Sequence, residues 1–174
     1  MPLEAIRYTR GSLTILNQLR LPHATEYVPI SSCDDAYGAI KRMVVRGAPA
    51  IAIVAALALA VELASPDPDL TTGAQVAERV RVRLTDILEA RKTAVNLADA
   101  ARKLRRVVEE AAEAGESADG IRECYIAAAE KMLRDDVDDN RRIGEHGAKW
   151  IMENVNHGEQ YMKPVSVLTH CNTG

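Results

Sequence analysis

Residues 47–64, GAPAIAIVAALALAVELA, decide the fold of this 174-residue chain. Gly47 and Pro49 break the pattern before them, and Ala50 to Ala64 then runs almost wholly apolar. Proline suits the first turn of a helix, where its missing N–H would have had no partner. The most apolar part, Gly47 to Val61, is 15 residues long, short of the roughly 20 that a membrane span requires. A helix that is apolar all round belongs at the centre of a soluble fold, so the spacing predicts a buried core helix over 50–64.

On the N-terminal side, SSCDDAYGAIKRMVV opens with Ser32 and carries Asp35 three positions later, an N-cap signature. Ala36, Ala39, Ile40 and Met43 then fall on one helical face. Before that the period is two. Ala5 to Thr9 and Ser12 to Leu19 alternate around Arg10-Gly11, which predicts a hairpin, and TEYVPIS adds a third strand. Pro29 confines that strand to an edge or a strand end. On the C-terminal side SPDPDLTTG is a loop, followed by three amphipathic stripes. These are Val76, Val80, Leu84, Ile87; then Leu97, Ala101, Leu104, Val108; then Ile121, Tyr125, Ala128, Met132, the last capped by Ser117 and running to about Val155. NHGEQYMKP is a linker, and VSVLTH reads as a strand.

The expected fold class is therefore an α+β start leading to α/β. Residues 1–30 form a small β region, 31–156 a helical bundle, and 157–174 a linker with the first strand of a Rossmann-like domain whose remainder is absent.

Composition narrows the function. A net charge of −3 speaks against a general nucleic-acid binder, and the basic run at 102–106 is followed at once by acids, as on a solvated helix face. Three widely spaced cysteines, Cys33, Cys124 and Cys171, make neither a disulfide framework nor a metal pair, which implies a reducing setting. No signal peptide is evident at the N-terminus. His23, His146 and His157 lack partners at metal-ligand spacing and are read as ordinary residues.

Three places carry chemistry. At Arg46-Gly47-Ala48 a helix start leaves backbone amides free, and the arginine supplies a fork suited to phosphate. A plain helix start with a surface arginine is the alternative. Arg91 is a second cation, ending one helix where Thr93 caps the next, with Asn96 one turn beyond. Cys171 lies just past the last strand, where α/β folds place ligand-facing residues. It is either a tuned acid, base or nucleophile or a buried inert thiol. His170 points to the opposite face of an extended chain and does not pair with it.

LEAIRY, RGAPAIAIVAALALAVEL, ARKTAVNL, DNRRIGEHGA and VLTHCNTG occur in this order along the whole chain. Their order and spacing resemble the methylthioribose-1-phosphate isomerase family, the aldose–ketose isomerases of methionine salvage. RGAPAI and THCNTG are the most specific motifs. The wider fold is shared with ribose-1,5-bisphosphate isomerase and with regulatory subunits of the translation-initiation exchange factor. The resemblance implies a sugar phosphate as substrate, no cofactor and no metal, no nucleic acid or membrane as partner, and a homodimer for a full-length protein. It implies a cytoplasmic location, with the nucleus as an alternative. It makes Arg46, Gly47, Ala48 and Arg91 substrate- or phosphate-binding and Cys171 catalytic. The family's remaining site residues, an Asp acid among them, belong to the second domain, so a chain stopping after CNTG is expected to be a fragment with half a site, inactive alone. Two alternatives come from other classes. One is a non-catalytic regulatory or scaffold protein of the exchange-factor type; the other is a truncated product that binds a full-length partner. Retention of both RGAPAI and Cys171 favours the enzyme family.

Overall fold

The computed structural model describes residues 3–65, 67–155 and 164–168. The chain opens with β1 (Ile6–Thr9), β2 (Ser12–Leu16) and β3 (Tyr27–Ile30). They form one antiparallel sheet in the order β1-β2-β3. Arg10-Gly11 makes the hairpin turn, with Thr9 opposite Ser12 and Gly11 at a φ of 83°. Pro29 falls on the edge strand β3, opposite Thr14, where a missing N–H is tolerated.

β2 is shorter than its alternation predicts. It stops at Leu16, and Gln18–Arg20 form a short 3₁₀ turn in place of the expected strand to Leu19. The reason is side-chain hydrogen bonding. Asn17 Oδ1 accepts from the Leu19 N–H at 3.2 Å, and Gln18 turns inward instead of pairing along the sheet.

Five helices follow. α1 (Cys33–Lys41) is capped by Ser32, whose hydroxyl accepts from the Asp35 N–H at 3.1 Å. Ala36, Ala39 and Ile40 are buried as their spacing implies, but Met43 is not. The helix has ended by then, and Met43 turns the chain at a φ of 61° with its side chain exposed. Val44 and Val45 enter the core in its place.

α2 (Ala50–Ala64) is the centre, with every residue from Ile51 to Val61 at 6% exposure or less. It packs against α1, the sheet, α4 (Val95–Glu113) and α5 (Ala118–Asn154). Its alanines let neighbours approach closely: Tyr125, fully buried on α5, donates its hydroxyl to the Ala56 carbonyl at 3.3 Å. Near the far end Glu62 accepts from the Cys33 N–H at 3.1 Å and from Arg83 Nε at 2.9 Å, so the charge on this helix is hydrogen-bonded and paired.

α3 (Gly73–Leu88) begins with a capping box between Thr72 and Gln75. α4 (Val95–Glu113) and α5 (Ala118–Asn154) complete the bundle, α5 capped by Ser117. Both stripes expected on α3 and α4 are buried. On α5 Ile121 and Tyr125 are buried, while Ala128 and Met132 are half-buried. Beyond Asp136 the helix leaves the bundle, and from Val137 to Trp150 every residue is exposed.

The sheet is fastened to α5 by charge. Arg10 pairs with Glu123 at 2.7 Å and Glu130 at 3.0 Å, and Tyr8 donates to Glu130 at 3.1 Å. Residues 164–168, part of the expected final strand, are exposed and form no strand. Among the described residues no neighbouring strand supplies the ladder that a strand requires. The rest of that segment lies outside the described residues.

Candidate functional site

The turn into α2 is held by Gln18. Its Oε1 accepts from the Arg46 N–H at 3.1 Å, and its Nε2 donates to the Arg46 carbonyl at 3.3 Å. The Gln18 N–H also donates to the Val44 carbonyl at 2.9 Å. Gln18 is 7% exposed and is the one buried polar side chain among the described residues. Both of these side-chain hydrogen bonds go to the backbone that leads into Gly47.

Gly47 takes a φ of 98°, which L side chains rarely adopt. A Cβ there would meet nothing within 4 Å, so the glycine serves backbone conformation and not close packing. Gly47, Ala48 and Ile51 then line a cavity of about 390 Å³ with Arg91, Thr93 and Asn96. The structure thus brings together three residues that the sequence singled out, Gly47, Ala48 and Arg91, with Asn96 beside them. Arg46 does not line the cavity. It is half-buried next to it, and its Nε is buried without a hydrogen-bond partner among the described residues.

Two helices start at this cavity, and neither has a side-chain cap. α2 follows Pro49 and α4 follows Ala94, whereas Ser32, Thr72 and Ser117 cap the other three. Thr93, expected as the cap of α4, sits one residue too early; Ala94 occupies the cap position, its N–H donating to the Arg91 carbonyl at 3.0 Å. The Ile51 N–H donates to the Gly47 carbonyl at 3.2 Å and the Leu97 N–H to the Ala94 carbonyl at 3.1 Å, while the other amides of these first turns have no side-chain cap and the two positive dipole ends lie at one cavity. Arg91 is half-buried there, and among the described residues neither it nor Arg46 has an ion-pair partner. Such a pocket is chemically suited to an anion, phosphate above all.

Cys171 and His170 lie outside the described residues. Of the other thiols, Cys33 is buried, its pKa pushed far up first by burial and then by Glu62, and Cys124 is half-buried. His23 and His146 are exposed, and His157 lies outside the described residues. Among the described residues there is no group of three His, Cys, Asp or Glu side chains that would hold a metal, and no helix is long and apolar enough to cross a membrane. Sequence reasoning missed Gln18. Its partners are 28 residues away, so no local pattern marks it.

Sheet, bundle and pocket define an α+β domain with one amide-rich, cationic cavity at the junction of two helix starts. The chain belongs to the Initiation factor 2 subunit family, whose model matches residues 44–174. It is 58% identical over 180 residues to a methylthioribose-1-phosphate isomerase of Pyrenophora tritici-repentis, covering 100% of this chain and 44% of that protein. The protein of the same name in Paracoccidioides brasiliensis (strain Pb18) is 53% identical over 183 residues, covering 100% of this chain and 47% of that one. The chain thus spans about half the length of the relatives it matches. Among solved structures, 5-methylthioribose 1-phosphate isomerase from Pyrococcus horikoshii OT3 superposes with a TM-score of 0.78 at 30% identity, over 85% of this chain and 40% of that one. The delta subunit of translation initiation factor eIF-2B from A. fulgidus gives 0.73 at 28% identity, over 86% and 42%.

Proposed function

We propose that this chain is the substrate-phosphate half of a methylthioribose-1-phosphate isomerase. The observation that carries the reading is the convergence of two uncapped helix starts and Arg91 on one cavity. The reaction converts an aldose 1-phosphate to the ketose 1-phosphate. Because the anomeric carbon carries the phosphate, the ring does not open freely. The enzyme holds the phosphate, protonates the ring oxygen as the ring opens, and moves hydrogen from C2 to C1. The described part supplies the first requirement. Gly47 and Ala48 offer backbone amides, Arg91 a charged fork, and Arg46 a second cation beside the cavity. Cys171 is assigned to the reacting carbons, in proton transfer or in stabilising developing charge. No metal or organic cofactor enters this scheme. The working protein is a cytoplasmic homodimer on the same reading.

The non-catalytic alternative has the eIF-2B delta-subunit likeness in its favour. Relatives at 46–58% identity along the chain, all carrying the isomerase name, favour the enzyme.

Calorimetric titration tests the proposal with methylthioribose 1-phosphate and with its phosphate-free sugar. Only the ester is expected to bind, and Arg91→Gln to weaken it by roughly 10–100-fold, the value of a hydrogen bond to a charged group. Equal binding of ester and free sugar, or an Arg91→Gln variant as tight as the parent, would overturn it. In a turnover assay of the same preparation, any isomerisation present is expected to vanish with Cys171→Ala.

A further inference from the structure

Gln18 does more than join two distant segments; it fixes which way one peptide plane faces. The chain from Val44 to Gly47 is tied at its ends by the Val44 N–H on the Ala39 carbonyl at 2.8 Å and by the Ile51 N–H on the Gly47 carbonyl at 3.2 Å. Between those ties Gln18 adds three hydrogen bonds. Its backbone N–H donates to the Val44 carbonyl, and its carboxamide engages both the N–H and the carbonyl of Arg46. A side chain here takes the part of a partner strand, exchanging both bonds with one residue as in an antiparallel ladder.

The Arg46 carbonyl and the Gly47 N–H belong to one peptide unit, which is planar and trans. In such a unit the N–H points opposite to the C=O. Gln18 Nε2 donates to that carbonyl at 3.3 Å, so the carbonyl faces Gln18 and the Gly47 N–H faces away from it. Gly47 lines the cavity and Gln18 does not. Among the described residues neither the Gly47 N–H nor the Ala48 N–H has a hydrogen-bond acceptor. Free main-chain donors of this kind are met by solvent or by a ligand.

We propose that Gln18 is a positioning residue for the anion: by holding the Arg46 carbonyl it keeps the Gly47 N–H turned into the cavity before any ester arrives. The inference rests on the phosphate reading of that cavity. Gly47, at a φ of 98°, has the conformational freedom that lets this peptide unit rotate once the carboxamide is gone. A rotated unit presents its carbonyl oxygen where an anion needs a donor. Presetting the amide removes that ordering cost from binding.

Titration of the isotope-labelled 174-residue chain with methylthioribose 1-phosphate, followed by NMR, tests this. The Gly47 amide proton is expected to move downfield as the ester binds. Gln18→Met keeps the length of the side chain and removes both carboxamide bonds. It is expected to weaken the ester about tenfold, the lower range for a hydrogen bond to a charged group. The Gly47 shift should vanish with it, while the Arg91 side-chain signal still responds. Gln18→Glu gives a second reading. Its carboxylate accepts from the Arg46 N–H but cannot donate to the Arg46 carbonyl; the protonated carboxyl can. Affinity relative to the parent, taken at each pH so that titration of the ester itself cancels, should therefore recover as pH falls. Circular dichroism verifies that each variant folds, and if Gln18→Met does not, the Gln18→Glu profile decides. A folded variant with a lowered thermal midpoint but the parent's affinity and the parent's Gly47 shift would overturn the proposal and leave Gln18 purely structural. If Arg91→Gln still weakens the ester in that case, the phosphate pocket stands. Failure of the folded parent to bind the ester would sink both.

Discussion

Gln18 and Gly47 show how one residue sets the geometry of a pocket it does not occupy, or barely lines. Gln18 makes two hydrogen bonds to the Arg46 backbone from a buried position. Gln18→Leu leaves those backbone groups unpaired, so an unfolding free energy lower by about 1–3 kcal/mol is expected in urea titration, with weaker binding of the phosphate ester. Gly47→Ala meets no steric obstacle, and its cost is conformational alone. About 1–2 kcal/mol is expected, read as a lowered thermal midpoint; an unchanged midpoint would show that the turn relaxes freely. At this scale the sequence was partly legible. Glycine before a helix and a nearby arginine suggested an anion site without any structure. That Arg46 is adjacent to the cavity and not in its lining depends on where Gln18 holds it, and nothing local encodes that.

At the scale of elements, α2 and the hairpin are the informative pair. Leu57 is fully buried in the middle of α2. Leu57→Ala removes its contacts and leaves a cavity between packed helices, so a loss of about 2–5 kcal/mol is expected by denaturant unfolding. The hairpin is held differently, by Tyr8 and Arg10 on Glu130 and Glu123. Burial first, and then the hydrogen bond to Glu130, push the Tyr8 hydroxyl up to about 12. An unfolded tyrosine ionises near 10. The folded value is the higher one, so the neutral phenol stabilises the fold fully below about pH 10, and this contribution is lost as pH rises towards about 12. Absorbance at the phenolate band should therefore show Tyr8 titrating late, alongside the fully buried Tyr125, and Glu130→Gln should bring the Tyr8 step alone earlier. Helix positions were legible from periodicity because each stripe repeats every three or four residues. The end of β2 was not, because alternation continues in the letters past the point where Asn17 and Gln18 find other partners.

Over the whole molecule, the core and the long arm of α5 are separate matters. The buried half of α5 carries Ile121, Tyr125 and Ala129, and the part from Val137 onward touches little of the bundle. A chain ended after Asn140 is therefore expected to keep its denaturation midpoint. A large fall would show that the exposed arm stabilises the bundle after all. The relatives that carry the isomerase name, by contrast, are about twice this length. What this half contributes on the proposed reading is recognition of a phosphate end on a packed helical frame.

The sequence by itself determined the order of elements, the central place of α2 and the three amphipathic stripes, since these follow from periodicity and apolar content that any contiguous window contains. Its motifs pointed to Gly47, Ala48 and Arg91. The tertiary structure alone decided that these residues, more than forty positions apart, share one cavity with two uncapped helix starts. It alone set Gln18 against the Arg46 backbone that leads into that cavity. Such placements depend on packing between distant segments, and their energy is spread over contacts that no local pattern records.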